Sequence, residues 1–328
     1  MNGARAIAGG LLALTSAGLL WALFVEPEPP PAPARAFESS RQCAECHAEV
    51  YAEWETSWHA RAWTDPEVRA QSNDFQNADC IDCHAPRPIL ETGLGQRVLP
   101  RSTRRVEGVD CIACHQLPDG RMAGTIDDAS AACRPRAARE LLDPNFCAGC
   151  HDQHGTVQQW RATPYAQPGP GYRNCIDCHM PFRDGDPTRG RDHVMHGGHD
   201  PELLRSAVEL RVEPEGGHWR VEVENVAAGH NFPTDERSRA SDLFWRPLGA
   251  SGPWRHLFRF RNPDRFEVGL PNTELPHGEV HSSVIDDPQA AGGVEVALFY
   301  KTTPLWDDPE QPDPEREATL VHRVERAP

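Results

Sequence analysis

The apolar positions of this chain change character along its length. Ala6 to Val25 is an uninterrupted run without charge, rich in Leu, Ala and Gly, with Arg5 before it and Glu26 and Glu28 behind. Such a run is long enough to span a bilayer. The lone Arg at its start suits a cytoplasmic N-terminus with the remainder exported. A secretory signal has a shorter apolar core and a small-residue cleavage site close behind it. Here the A-x-A-like site, Ala34-Arg35-Ala36, lies beyond Pro29-Pro30-Pro31. Residues 1–25 are therefore expected to be an N-terminal membrane anchor, with a cleaved signal as the alternative. Either places the rest on the periplasmic side of the membrane, anchored or released. Residues 26–37 are Pro-rich, which predicts an extended, semi-rigid linker.

Residues 38–200 carry few apolar positions and little periodicity. Short helices joined by long irregular connections are expected there, around a thin peptide core. Residues 201–328 alternate instead, as in Val208-Glu-Leu-Arg-Val212, Trp219-Arg-Val-Glu-Val223, Val294-Glu-Val-Ala-Leu298 and Leu320-Val-His-Arg-Val324. A period of two with turn residues between reads as short half-buried strands, and several together suggest a small β-sandwich. Pro304 to Pro314 reads as a loop. The expected fold class is a mostly irregular and α domain over 38–200 followed by a small all-β, sandwich-like domain over 201–328.

The cysteines supply the chemistry. Ten of the 11 fall into five copies of C-x-x-C-H: Cys43/Cys46/His47, Cys80/Cys83/His84, Cys111/Cys114/His115, Cys147/Cys150/His151 and Cys175/Cys178/His179. Two thiols three positions apart can bond the two vinyl groups of one porphyrin, and the histidine that follows reaches the iron. Zinc sites also use paired cysteines, but they do not require a histidine after each pair, and five pairs leave one unmatched. A disulfide framework would not explain a shared spacing and a shared following residue. Five covalently attached haems c are expected, and their faces would furnish most of the buried apolar surface of the first domain.

A formal charge of −16 argues against a nucleic-acid partner, which needs a basic face. It favours encounter with a basic redox protein.

Five motif histidines leave 11 of the 16. A second axial ligand would make a haem six-coordinate and suited to electron transfer, whereas an open position would suit substrate chemistry. The expected distal ligands are His59, His193, His199 and His230, with His196, Met195 and His154 as weaker choices. Cys133 stands outside every motif, and a thiolate can also bind haem iron; a spare thiol is the plain alternative. His218, His256, His277, His281 and His322 read as ordinary residues of the β-rich part.

The first motif, Trp54-x-x-Ser57-Trp58-His59-Ala60 and the second motif recur in order as the fourth motif, Trp160-x-x-Thr163-Pro164-Tyr165-Ala166 and the fifth. A duplicated two-haem unit is expected, with Cys111–His115 as the added site.

Together, Trp54-x-x-Ser-Trp-His59-Ala, Cys175–His179-Met-Pro181, His193-x-x-x-Gly-Gly-His199-Asp and Ala-Gly-His230-x-Phe-Pro-Thr resemble the multihaem cytochrome c family that includes the tetrahaem electron acceptor of the hydroxylamine oxidoreductase pathway. The resemblance covers roughly residues 40 to 235. It implies close-packed haem pairs and bis-histidine ligation through His59, His193, His199 and His230. Tyr165 departs from it by standing where the first repeat has His59. Cys133 stands about where relatives carry a histidine. The expected function is a membrane-anchored electron relay between a membrane or soluble donor and a terminal acceptor, with a quinol oxidoreductase or another cytochrome as redox partner. The alternative is a reductase or dehydrogenase of a small nitrogen or sulfur species at one haem, and a third reading has the β-rich part dock the cytochrome to a larger complex.

Overall fold

A computed structural model describes residues 36–234, 238–264 and 266–328. The expected anchor over 1–25 and the linker up to residue 35 lie outside the described residues. Among the described residues, no helix is long and apolar enough to cross a membrane.

Short capped helices carry the motifs. Asn77 caps Ala78–His84 through the Asp79 amide. Buried Asp110 caps Cys111–His115 by accepting from the Ala113 amide at 2.7 Å. Asn174 and Asp177 form a reciprocal capping box on Cys175–His179. The fourth motif ends the helix Asn145–His151, and the first straddles the 3-10 helix Ser40–Glu45. In the four α-helical motifs the first Cys, second Cys and His occupy i, i+3 and i+4, so all three face one side of a single turn. A side-chain cap at the N-terminus of so short a helix offsets part of the cost of nucleating it.

Seven strands follow: β1 (Val208–Glu215), β2 (His218–Asn225), β3 (Ala240–Pro247), β4 (Arg255–Phe260), β5 (Val280–Ile285), β6 (Val294–Lys301) and β7 (Thr319–Arg326). They pair antiparallel into a three-stranded sheet, β1-β2-β5, and a four-stranded sheet, β4-β3-β6-β7. Val208, Val212, Val221 and Val223 of the first sheet share one apolar core with Leu243, Val296, Leu298 and Tyr300 of the second. The open edge of β1 is blocked by side chains of β7: His322 Nε2 donates to the Val208 carbonyl at 2.7 Å and Arg326 Nε to that of Val212 at 3.1 Å. Those bonds occupy carbonyls that another strand would otherwise use.

The alternation at Val294–Leu298 does not mean a half-buried strand: all eight residues of β6 are buried. Phe244, Trp254, Ala297, Phe299 and Trp306 form a second apolar cluster on the outer face of the sheet. Glu295 sits there because Arg246 meets its carboxylate at 2.6 and 2.9 Å.

Two segments join the strands to the motif-bearing part. The helix Pro201–Ala207 is capped by Asp200, which ends the histidine-rich loop, and it drives Leu204 into the shared core. The loop after β2 carries His230. Buried Asn225 donates to the His230 and Leu275 carbonyls, both at 2.9 Å, and accepts from the Ala228 amide at 3.1 Å.

Candidate haem sites

Three motif histidines each face a second imidazole at one spacing. The ring centres of His151 and His59 are 6.1 Å apart, those of His115 and His193 6.2 Å, and those of His179 and His230 6.2 Å. A stacked pair can lie far closer, as Trp58 and His199 do at 3.6 Å. Two nitrogen–metal bonds of about 2.0 Å, with roughly 1.1 Å from each nitrogen to its ring centre, add up to about 6.2 Å. The gap between each pair therefore has the width of one iron ligated from both sides. Interplanar angles of 56°, 31° and 10° are compatible with this, because each imidazole can rotate about the axial bond.

Hydrogen bonds fix which nitrogen is free in four of these rings, while the buried Nδ1 of His59 has no partner among the described residues. His115 Nδ1 donates to the Ala123 carbonyl at 2.8 Å, and His179 Nδ1 to that of His196 at 2.6 Å. His193 and His230 use Nδ1 on the carbonyls of Arg191 and Asn231, at 2.9 and 2.8 Å. With Nδ1 committed as a donor, Nε2 keeps its lone pair for a metal. Burial drives His59 and His230 down to about 4, so both are neutral at pH 7. Burial likewise pushes His115, His179 and His193 below the ordinary histidine value. The donor set thus fits haem iron at three of the five motifs.

The second motif is held in the same way, with His84 Nδ1 on the Ala62 carbonyl at 2.8 Å. Its ring lies 5.6 Å from that of Phe75, which stacks on Trp63. His47 is exposed at the first motif, and among the described residues no second ring opposes it at the 6 Å spacing. His199 is not brought opposite a motif histidine. It stacks on Trp58, and burial, with Arg239 and Arg61 nearby, lowers it to about 4. His196 turns its ring toward Asp200 and Asp192, at 2.5 and 3.2 Å, and lends only its carbonyl to the site. Met195 sits beside it in the left-handed region, at φ 58°. His154 lies half-buried in the turn after Asn145–His151. Cys133 lies half-buried within electrostatic range of Cys43 and Cys46 of the first motif.

The thiols report how the sites are arranged. Those of Cys43 and Cys111 are close neighbours, as are those of Cys147 and Cys175, and of Cys83 and Cys150. First and third motifs therefore adjoin, fourth and fifth adjoin, and second and fourth adjoin. Cys114 is a close neighbour of Cys147 and Cys150, which links the third motif to the fourth.

This arrangement corrects the repeat. Trp54 Nε1 donates to the Val109 carbonyl at 2.9 Å, two residues before Cys111. Trp160 Nε1 donates to the Arg173 carbonyl at 2.9 Å, two residues before Cys175. The two equivalent tryptophans thus anchor the third and fifth motifs. The duplicated unit is first-plus-third and fourth-plus-fifth, and the second motif is the insertion. Sequence matching chose the second because Cys-Ile-Asp-Cys-His recurs at Cys80 and Cys175, while the tryptophan contacts span gaps of unequal length.

Residues that sequence reasoning missed are those that hold the ligands. Glu53 Oε2 accepts from the His193 amide at 3.0 Å and pairs with Arg183, whose hydrogen bond lowers the carboxyl below its usual range. Gly108, at φ +57° and ψ −133°, lets the Val109 amide reach the His59 carbonyl at 2.8 Å. His277 bonds the Ala228 carbonyl and lies 4.8 Å from the Tyr165 ring, near His230. No local pattern marks any of them, because each acts across a long sequence separation.

Comparison with known proteins agrees with this chemistry. Residues 42–116 match the model of the family described as cytochrome c554 and c-prime. Over 153 residues the chain is 27% identical to a probable nitrite reductase-hydroxylamine oxidoreductase fusion protein of Kuenenia stuttgartiensis, covering 42% of this chain. The matched stretch spans only 16% of that relative's length. Among solved structures, a superoxide reductase in the oxidised state is similar at 14% identity, covering 36% of this chain and 86% of that one, with a TM-score of 0.21. That value is too low to assign a fold. The attachment motifs, the imidazole pairs at iron spacing and the family match converge: the chain is a multihaem c-type cytochrome that binds haem c covalently and serves a redox role.

Proposed function

We propose that the protein carries five haems c and works as an electron relay on the periplasmic side of the membrane. The observation that carries the reading is the trio of motif histidines opposed by a second imidazole at 6.1–6.2 Å. Iron capped on both sides exchanges electrons without binding substrate. In this reading His59 serves the fourth haem, His193 the third and His230 the fifth. The motif contacts order the path as first, third, fourth, with the second and fifth haems branching from the fourth. Residues 38–200 form the haem part and 201–328 a β-sandwich part that contributes His230. Residues 1–25 anchor the chain, and a quinol oxidoreductase or another cytochrome exchanges electrons with it.

Cys133 is the proposed sixth ligand of the first haem. Its place within electrostatic range of Cys43 and Cys46 supports that assignment over one at the fourth motif. A thiolate would lower the potential of that haem. His199 is reserved in this reading for the second haem, which would require it to leave Trp58.

A second reading, reduction or oxidation of a small nitrogen species at the first haem, is favoured by the name of the Kuenenia relative. Mass spectrometry of the mature protein, with stopped-flow oxidation by nitrite and hydroxylamine, separates the two. The relay reading expects five covalent haems and no turnover with either substrate. Fewer haems, or multiple turnovers, would sink it.

A further inference from the structure

The side chain that locks the His230 loop in place comes from neither its own loop nor the haem motifs. Buried Glu274 lies in the connection before β5. Its Oε2 accepts from Gln159 Nε2 at 3.1 Å, Asn231 Nδ2 at 3.0 Å and Asn272 Nδ2 at 3.2 Å. Three N–H donors converging on one oxygen suit an ionised carboxylate, which only accepts. Gln159 belongs to the helix Thr156–Arg161, which follows the fourth motif. Held by Glu274, it turns its Oε1 to the Asn231 amide at 3.2 Å and the Thr234 hydroxyl at 2.8 Å. Thr234 in turn bonds Thr156 at 2.8 Å. Asn231 is the residue whose carbonyl accepts the hydrogen bond from His230 Nδ1. The chain of contacts runs Glu274, Gln159, Asn231, His230.

We infer that Glu274 is the positioning residue for the sixth ligand of the fifth haem, acting through Gln159 and Asn231 to hold His230 opposite His179. The inference rests on the proposed ligation of that haem by His179 and His230. A carboxylate bonded to amides on both sides clamps the β-sandwich loop to the helix Thr156–Arg161. Without it, Gln159 loses the bond that orients its amide, and the acceptor for two groups flanking the ligand turns away. The imidazole would then leave the iron for part of the population. Glu274 touches neither haem nor ligand, so its effect is on occupancy of the axial position.

The test is low-temperature electron paramagnetic resonance of the full, haem-loaded protein as wild type, Glu274→Ala, Glu274→Gln and His230→Ala. Glu274→Ala should turn part of one low-spin signal into a high-spin one, and added imidazole should restore a low-spin signal. Glu274→Gln keeps an acceptor oxygen in the same place and should keep the wild-type spectrum. The inference is overturned if His230→Ala changes one haem while Glu274→Ala matches wild type. It is equally overturned if Glu274→Gln loses the signal to the same degree as the alanine variant. If His230→Ala itself changes nothing, the ligation reading beneath it falls instead.

Discussion

Gly108 offers a severe test of how the His59 site is built. A Cβ added there would lie 2.2 Å from the His59 carbonyl oxygen, 2.8 Å from that of Ala60 and 3.0 Å from the Ala60 carbonyl carbon. All three are backbone atoms, so no side chain can rotate away. At φ +57° and ψ −133° the residue also occupies a conformation that only glycine adopts comfortably, at a cost of about 1–3 kcal/mol for any other residue. Relieving the clash breaks the bond from the Val109 amide to the His59 carbonyl, 2.8 Å long, which adds about 1 kcal/mol. The expected loss for Gly108→Ala is therefore about 2–4 kcal/mol, a drop of roughly 3–6 °C in thermal midpoint. It should be accompanied by loss of one low-spin haem signal, since His59 moves with its carbonyl. The assay is thermal unfolding followed by Soret absorbance, with resonance spectra of the surviving protein. A variant with the wild-type midpoint and an unchanged spectrum would refute the argument. Loss of stability with all haem signals intact would refute only the step from Gly108 to the ligand.

Further outcomes follow from the same geometry. His59→Ala, His193→Ala and His230→Ala should each convert a different low-spin haem to high-spin, and any two combined should convert two, as read by spin quantitation. Cys133→Ala should raise the potential of one haem in a redox titration and leave the signals of the three opposed imidazole pairs untouched; an unchanged titration would return Cys133 to the status of a spare thiol. Burial works to raise the buried Asp242 carboxyl, but hydrogen bonds from His256 and Arg259 outweigh it and hold the group below its ordinary value. A carboxylate with a depressed folded value contributes stability above its unfolded value near 4, and that contribution fades as pH falls through the lower folded value. Asp242→Asn should cost about 3 kcal/mol at neutral pH and flatten the acid limb of a stability-against-pH curve; a parallel acid limb would show that the pair does not titrate with unfolding.

The haem attachment sites were legible because their chemistry is local: two thiols and an imidazole within five positions of one helical turn. The distal side was legible as residue type but not as pairing. Nothing near His59 in sequence says that it meets His151, 92 positions on, and nothing near His230 points to His179. His199 was recognisable as a candidate by residue type, whereas its stacking on Trp58, 141 positions away, has no mark in the sequence. The alternating strands β1 and β2 could be read because one face meets water. β3 and β4 could not. Six of the eight residues of β3 are buried, including Ser241 and Asp242, so its polar residues lie inside and the alternation is lost. The repeat was misaligned for a related reason: motif spelling was visible, whereas the tryptophan-to-carbonyl bonds that define the unit were not.

The most direct test of the central claim is a quantitative low-temperature electron paramagnetic resonance spectrum of the oxidised, fully loaded protein. At least three low-spin ferric haems per chain are expected, with the anisotropy of bis-imidazole ligation, each abolished in turn by removing His59, His193 or His230. A spectrum dominated by high-spin iron, or low-spin signals that survive all three substitutions, would contradict that claim.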